Sequence, residues 1–95
     1  MRHQLASVHE LMRAPALAGL PGETLARLAE RMERRDLEPG EALDAAGRFA
    51  LVLTGMLSGS GGVLRPGDLV EGSARALTPA AVASCARADY DAIVG

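Results

Sequence analysis

Residues 49–55 read Phe49-Ala50-Leu51-Val52-Leu53-Thr54-Gly55. Five apolar side chains in an unbroken run suit a strand buried on both faces, because a half-buried strand alternates. Periodicity alone leaves a buried helical turn open, but the flanking Gly47 and Gly55 favour the strand. Outward from this run the chain is cut every few residues by Pro39-Gly40, Gly59, Gly61-Gly62, Pro66-Gly67 and Gly72. Short apolar pieces lie between the cuts: Ala42-Leu43, Met56-Leu57, Val63-Leu64, Leu69-Val70 and Ala80 to Cys85. Many short strands with regular turn signals predict a sandwich or barrel over residues 36–86. Ser58-Gly59-Ser60-Gly61-Gly62 is short enough to be a hairpin loop.

Upstream the apolar residues recur at helical spacing. Leu5, Val8 and Met12 predict a short helix over 5–13, with Ser7 and Glu10 as its capping pair and Pro15 as its stop. Leu25, Leu28, Ala29 and Met32 form one apolar stripe and predict a helix over 22–34. Glu23 at its start and Arg34-Arg35 at its end complement the helix dipole, and Glu30 and Arg34 are a favourable pair four residues apart. Residues 88–94 suit a further turn or two of helix. The expected organisation is a single domain over 1–95: N-terminal helices (1–35), strands (36–86) and a short C-terminal helix (87–95).

With 95 residues, the chain fits one small domain with a modest core. Phe49 and Tyr90 are its only aromatics, so the packing is aliphatic. Net charge is −2, and all ten strong cations are arginines. Arg27, Arg31, Arg34 and Arg35 are interleaved with Glu30, Glu33, Asp36 and Glu38, which is the pattern of a solvated helix face rather than a phosphate track. Cys85 is the only cysteine, which excludes an intrachain disulfide and a cysteine-based zinc site; inside an apolar run it suits a small buried filler. A lone cysteine, no membrane-spanning run and no signal-peptide core imply a cytoplasmic protein. The only histidines, His3 and His9, precede the strands, so no Ser-His-Asp, Cys-His or metal-ligand set can be assembled there, and the absence of lysine removes a Schiff-base nucleophile. The expectation is a non-enzyme without cofactor or metal.

The order of these signals resembles the cyclic-nucleotide-binding domain of bacterial catabolite regulators, kinase regulatory subunits and gated channels. The resemblance starts at Leu11 to Leu20, with Leu17 where the family usually has an aromatic. It continues through Leu25 to Met32, the turn Leu37-Glu38-Pro39-Gly40-Glu41, the strand Leu51-Val52-Leu53-Thr54-Gly55 and the turn Arg65-Pro66-Gly67-Asp68-Leu69. It closes with Ala80-Ala81-Val82, similar to the strand after the family's phosphate cassette, and with Ala88-Asp89-Tyr90, similar to its next helix. The resemblance implies a mainly β fold with N-terminal helices, a small jelly-roll β-barrel whose loops and C-terminal lid helices are trimmed, and a bacterial origin.

In that family a cassette follows the Pro-Gly-Asp turn: Phe-Gly-Glu, several residues, then an arginine before a small-small-Val strand. Backbone N–H groups at a short helix cradle the phosphate and the arginine pairs with it. Here Leu69 to Ala80 is shortened, glycine and glutamate are reversed, and Thr78-Pro79 stand where the arginine belongs. Gly47 to Gly55 is also shorter than the family's spacing, and the chain stops near Gly95, before the lid helices. Two function classes follow. In the first, the chain is a non-catalytic regulatory or scaffold module that has lost nucleotide binding and acts on a protein partner or as a homodimer. Its candidate surfaces are the N-terminal helices and the region from Glu71 to Arg75. In the second it senses cyclic AMP or cyclic GMP, with Glu71 on the ribose, Arg75 on the phosphate, and Gly72 and Ser73 donating backbone N–H groups. The acidic charge and the absence of a following helix-turn-helix argue against DNA binding.

Overall fold

The computed structural model describes Leu11, Met12 and residues 14–94. The helix expected over 5–13 therefore falls largely outside the described residues, as do His3 and His9; Leu11 and Met12 are helical. A 3₁₀ turn at Pro15–Leu17 follows. Helix α1 spans Gly22–Arg31, starting after Pro21, whose φ of −60° is preset for a helix entry. Glu23 in its first turn and Arg31 in its last complement the dipole. Leu25, Leu28 and Ala29 are its buried stripe.

The helix stops three residues before the predicted end. Met32 is extended (φ −86°, ψ 125°). Strand β1, Glu33–Leu37, then pairs antiparallel with β8, Ala80–Ala86. Glu33, Arg34 and Arg35 are good helix formers, so local preference here loses to sheet pairing. Arg34 ion-pairs with Asp36 at 3.0 Å on the strand rather than closing a helical pair with Glu30.

The remaining strands are β2 (Ala42–Asp44), β3 (Arg48–Thr54), β4 (Leu57–Gly59), β5 (Gly62–Leu64), β6 (Leu69–Val70) and β7 (Ser73–Ala76). They form two antiparallel sheets, β1-β8-β3-β6 and β2-β7-β4-β5. The predicted barrel is thus an open sandwich: β1 does not pair with β2, nor β5 with β6. Helix α2, Arg87–Val94, ends the described chain.

The first sheet is the middle of three layers, which explains the unbroken apolar run. Phe49 and Leu51 face the helices and join Leu11, Leu17, Leu28, Met32 and Cys85 in one core cluster. Ala50 and Val52 face the second sheet and join Leu37, Leu43, Leu57, Val70 and Val82 in the other. The two aromatics stack, Phe49 on Tyr90, with centroids 3.8 Å apart and planes at 16°, and so hold α2 against the sheet. Cys85 is buried as expected; burial and nearby Asp89 push its thiol pKa up, away from reactivity.

Two Pro-Gly turns carry the chain between the sheets, and they have the same construction. In Glu38-Pro39-Gly40-Glu41, the Glu41 N–H donates to the Glu38 carbonyl (2.9 Å) and the Glu41 carboxylate accepts from the Glu38 N–H (3.1 Å). In Arg65-Pro66-Gly67-Asp68, Asp68 makes the same two bonds with Arg65, at 2.9 and 2.8 Å. Proline sets the first corner, and glycine supplies the positive φ of the second, +87° at Gly40 and +93° at Gly67.

Candidate functional site

Because the sandwich is open, it has two lateral mouths. One lies between β5 and β6, the region that the family resemblance assigns to the phosphate cassette. After the Asp68 turn, β6 is two residues long, and Glu71 and Gly72 alone connect it to β7. Two residues cannot form a helical turn, so no helix N-terminus is presented here to an anion. Gly72 has a φ of +70°, and its carbonyl accepts from the Ala45 N–H at 2.8 Å. The strand after the turn is therefore Ser73–Ala76, not the predicted Ala80-Ala81-Val82, which belongs to the following strand, β8. The connection here is tight, and Thr78-Pro79 lie between β7 and β8 rather than directly after it.

The predicted site residues do not converge. Glu71 lines a cleft of about 200 Å³ with Gly59, Ser60, Gly61, Leu64 and Leu69. That is below the roughly 300 Å³ at which small-molecule pockets begin. Its one charged lining residue is a carboxylate, which repels a phosphate diester. Ser73 and Arg75 instead line a shallow hollow with Ala42, Ser58 and Leu77 on the outer face of the second sheet. Cross-strand pairing puts Ala42, Arg75, Ser58 and Val63 in one row of that face. Arg75 also has a structural partner: its Nη1 donates to the Gly40 carbonyl at 2.6 Å. Gly40 N–H donates to Ala76 (2.7 Å), and Ala76 N–H to Glu41 (2.9 Å), so the guanidinium helps clip the first Pro-Gly turn to β7.

The second mouth lies between β1 and β2, and sequence reasoning did not find it. A cleft of about 340 Å³ is lined there by three arginines (Arg34, Arg35, Arg48), two carboxylates (Glu33, Asp44) and Leu43, Val82 and Ser84. Arg48, the first residue of β3, reaches over β8; its Nε and Nη2 lie 3.4 and 3.2 Å from Ser84 Oγ. Nη2 is 3.6 Å from Glu33 Oε1. Arg35 is committed to Glu41 at 2.8 Å. The bond from the Glu38 N–H, followed by that from Arg35, holds the Glu41 carboxyl below its ordinary pKa of 4.5. The available signals were Arg48 at the head of the apolar run and Ser84 interrupting Ala80 to Cys85.

Among the described residues no group of three or more His, Cys, Asp or Glu side chains is placed to hold a metal ion, and no helix is long and apolar enough to cross a membrane.

This architecture is shared with solved structures. A cyclic nucleotide-binding-like protein from Brucella abortus is 20% identical with a TM-score of 0.65, over 92% of this chain and 96% of that one. The regulatory subunit of a cAMP-independent protein kinase A from Trypanosoma brucei is 19% identical with a TM-score of 0.77, over 93% of this chain and 42% of that one. The regulatory domain of Toxoplasma gondii protein kinase A, crystallised with cAMP, is 17% identical with a TM-score of 0.72, over 92% of this chain and 42% of that one. The chain thus spans nearly all of the Brucella protein and under half of the two kinase proteins. No family model and no curated protein matches the sequence. The fold is that of the cyclic-nucleotide-binding domain. Its structural neighbours are mainly regulatory rather than catalytic domains.

Proposed function

We propose that the chain is a regulatory or scaffold module that kept the cyclic-nucleotide-binding scaffold, gave up the nucleotide, and works by contact with a protein, a second copy of itself included. The observation that carries this reading is the two-residue link Glu71-Gly72 between β6 and β7. A phosphate diester needs several oriented N–H donors and a cation. Here the adjoining cleft offers a carboxylate, and the nearest arginine along the chain, Arg75, is bonded on the other face of the sheet. The kinase relatives show that the fold is used both in a protein crystallised with cAMP and in one described as cAMP-independent. Exposed Met56, Val63 and Leu77 add apolar area around Arg75 for a partner to cover. The module is proposed to act in the cytoplasm.

Calorimetric titration with cyclic AMP and cyclic GMP tests the loss. The expected result is no saturable heat up to about 1 mM, where binding free energy falls to about −4 kcal/mol. Saturable micromolar binding that disappears in Arg75→Ala overturns the reading and restores the sensor, with Glu71, Gly72, Ser73 and Arg75 as its site.

A further inference from the structure

We infer that the β1/β2 mouth is a binding site for a small organic carboxylate, held by the guanidinium of Arg48. Three observations carry this. The first is space: about 340 Å³ lies within the range of small-molecule pockets and is larger than the cleft at the other mouth.

The second is the state of Arg48. Its side chain is only 36% exposed and lines the cleft. Its two contacts with Ser84 converge on one hydroxyl oxygen, Nη2 at 3.2 Å, the long end of the hydrogen-bond range, and Nε beyond it at 3.4 Å. Its approach to Glu33 at 3.6 Å is an ion pair without hydrogen-bond distance. A planar fork of donors is matched by the two oxygens of a carboxylate, and one hydroxyl does not supply that match. Of the other two arginines that line the cleft, Arg34 is paired with Asp36 at 3.0 Å and Arg35 with Glu41 at 2.8 Å, so Arg48 is the guanidinium best placed to recognise a ligand.

The third is the wall. Leu43 and Val82 line the same cleft from facing sheets and belong to the core between them. They suit a short aliphatic body, which inorganic phosphate lacks. Ser84 then turns its hydroxyl from accepting Arg48 to donating to the ligand. The ligand class is a carboxylate with a short aliphatic chain, and this site is independent of the nucleotide question at the other mouth.

The test is a titration of the whole chain with butyrate at pH 7, followed by backbone amide NMR shifts, with inorganic phosphate and chloride in parallel. The expected result is a saturating shift confined to amides around Leu43, Val82 and Ser84. Arg48→Gln weakens it at least about tenfold, the usual loss for a charge-assisted bond pair. Arg48→Lys, which keeps the charge and loses the fork, weakens it similarly, while Ser84→Ala costs about threefold. Arg48→Lys decides the matter if Arg48→Gln fails to fold. The inference is overturned by absence of saturation, by shifts that persist in Arg48→Lys, or by phosphate or chloride saturating the same amides as well as butyrate.

Discussion

The two mouths of the sandwich are built alike and furnished differently. Each lies beside a Pro-Gly turn that passes the chain from one sheet to the other, and each turn is closed by an acidic side chain bonded to the N–H three residues back. At the β5/β6 mouth the chain spends two residues between strands and leaves a small cleft whose one charge is Glu71. At the β1/β2 mouth the longer strands β1, β8 and β3 bring Glu33, Ser84 and Arg48 into a larger, partly apolar space. One mouth thus offers a single carboxylate, and the other a guanidinium beside Glu33 and Asp44. The difference teaches that strand length and loop length, more than fold, decide where a ligand can sit.

The two turn glycines separate the mouths most sharply. Alanine at Gly67 meets both a positive φ of +93° and the ring of Pro15, whose Cδ would lie 2.8 Å from the new Cβ. Alanine at Gly40 meets the positive φ of +87° in open space. Gly67→Ala should therefore cost about 2–4 kcal/mol, strain plus overpacking. Gly40→Ala should cost about 1 kcal/mol, strain alone. Urea denaturation of both variants checks the order. Equal losses would mean that the β5/β6 turn yields as easily as its counterpart, and the contrast between a packed and an open turn would fall.

Next in size is Arg75→Ala, which removes the bond to the Gly40 carbonyl and frees one end of the β1–β2 turn. The expected loss is about 1 kcal/mol, because the bond is charge-assisted but exposed. In a double variant with Gly40→Ala the two losses should be less than additive, since both act on one turn. Strict additivity would show that Arg75 does not hold the turn.

Much of this scaffold was legible because its signals are local. Pro39-Gly40 and Pro66-Gly67 announce turns by backbone chemistry that tertiary structure does not override, and Phe49 to Leu53 announces a middle layer by having no polar face. The end of α1 was not legible: Glu33, Arg34 and Arg35 favour a helix, and only their pairing with Val82 to Ser84, about fifty residues later, makes them a strand. The family likeness gave the fold. It misplaced the next strand because Ser73-Ala74-Arg75-Ala76 is polar on alternate residues and too small to read as one; its pattern, exposed-buried-exposed-buried, emerges only between β2 and β4. The β1/β2 cleft was hidden for a related reason. Arg48, Ser84 and Glu33 stand far apart in the chain and meet only across three paired strands.

The smallest effect sharpens the comparison by pH. In the β1–β2 turn, Glu41 accepts from the Glu38 N–H and from Arg35, and both interactions favour its ionised form. Its folded pKa lies below the ordinary 4.5, so its contribution is complete above that value and is lost as pH falls through the lowered folded one. Glu41→Gln keeps an amide oxygen for the Glu38 N–H and removes the ion pair with Arg35. The melting temperature of the parent chain should therefore fall more steeply than that of the variant on acidification below about pH 5, and the two should run parallel above it. The carboxylate is exposed, so the separation should be slight and should shrink in high salt. Curves that run parallel at every pH would show that the turn is held by its backbone bonds alone. The Arg35–Glu41 pair would then cease to be the reason that Arg35 is withheld from a ligand in the cleft and Arg48 is not.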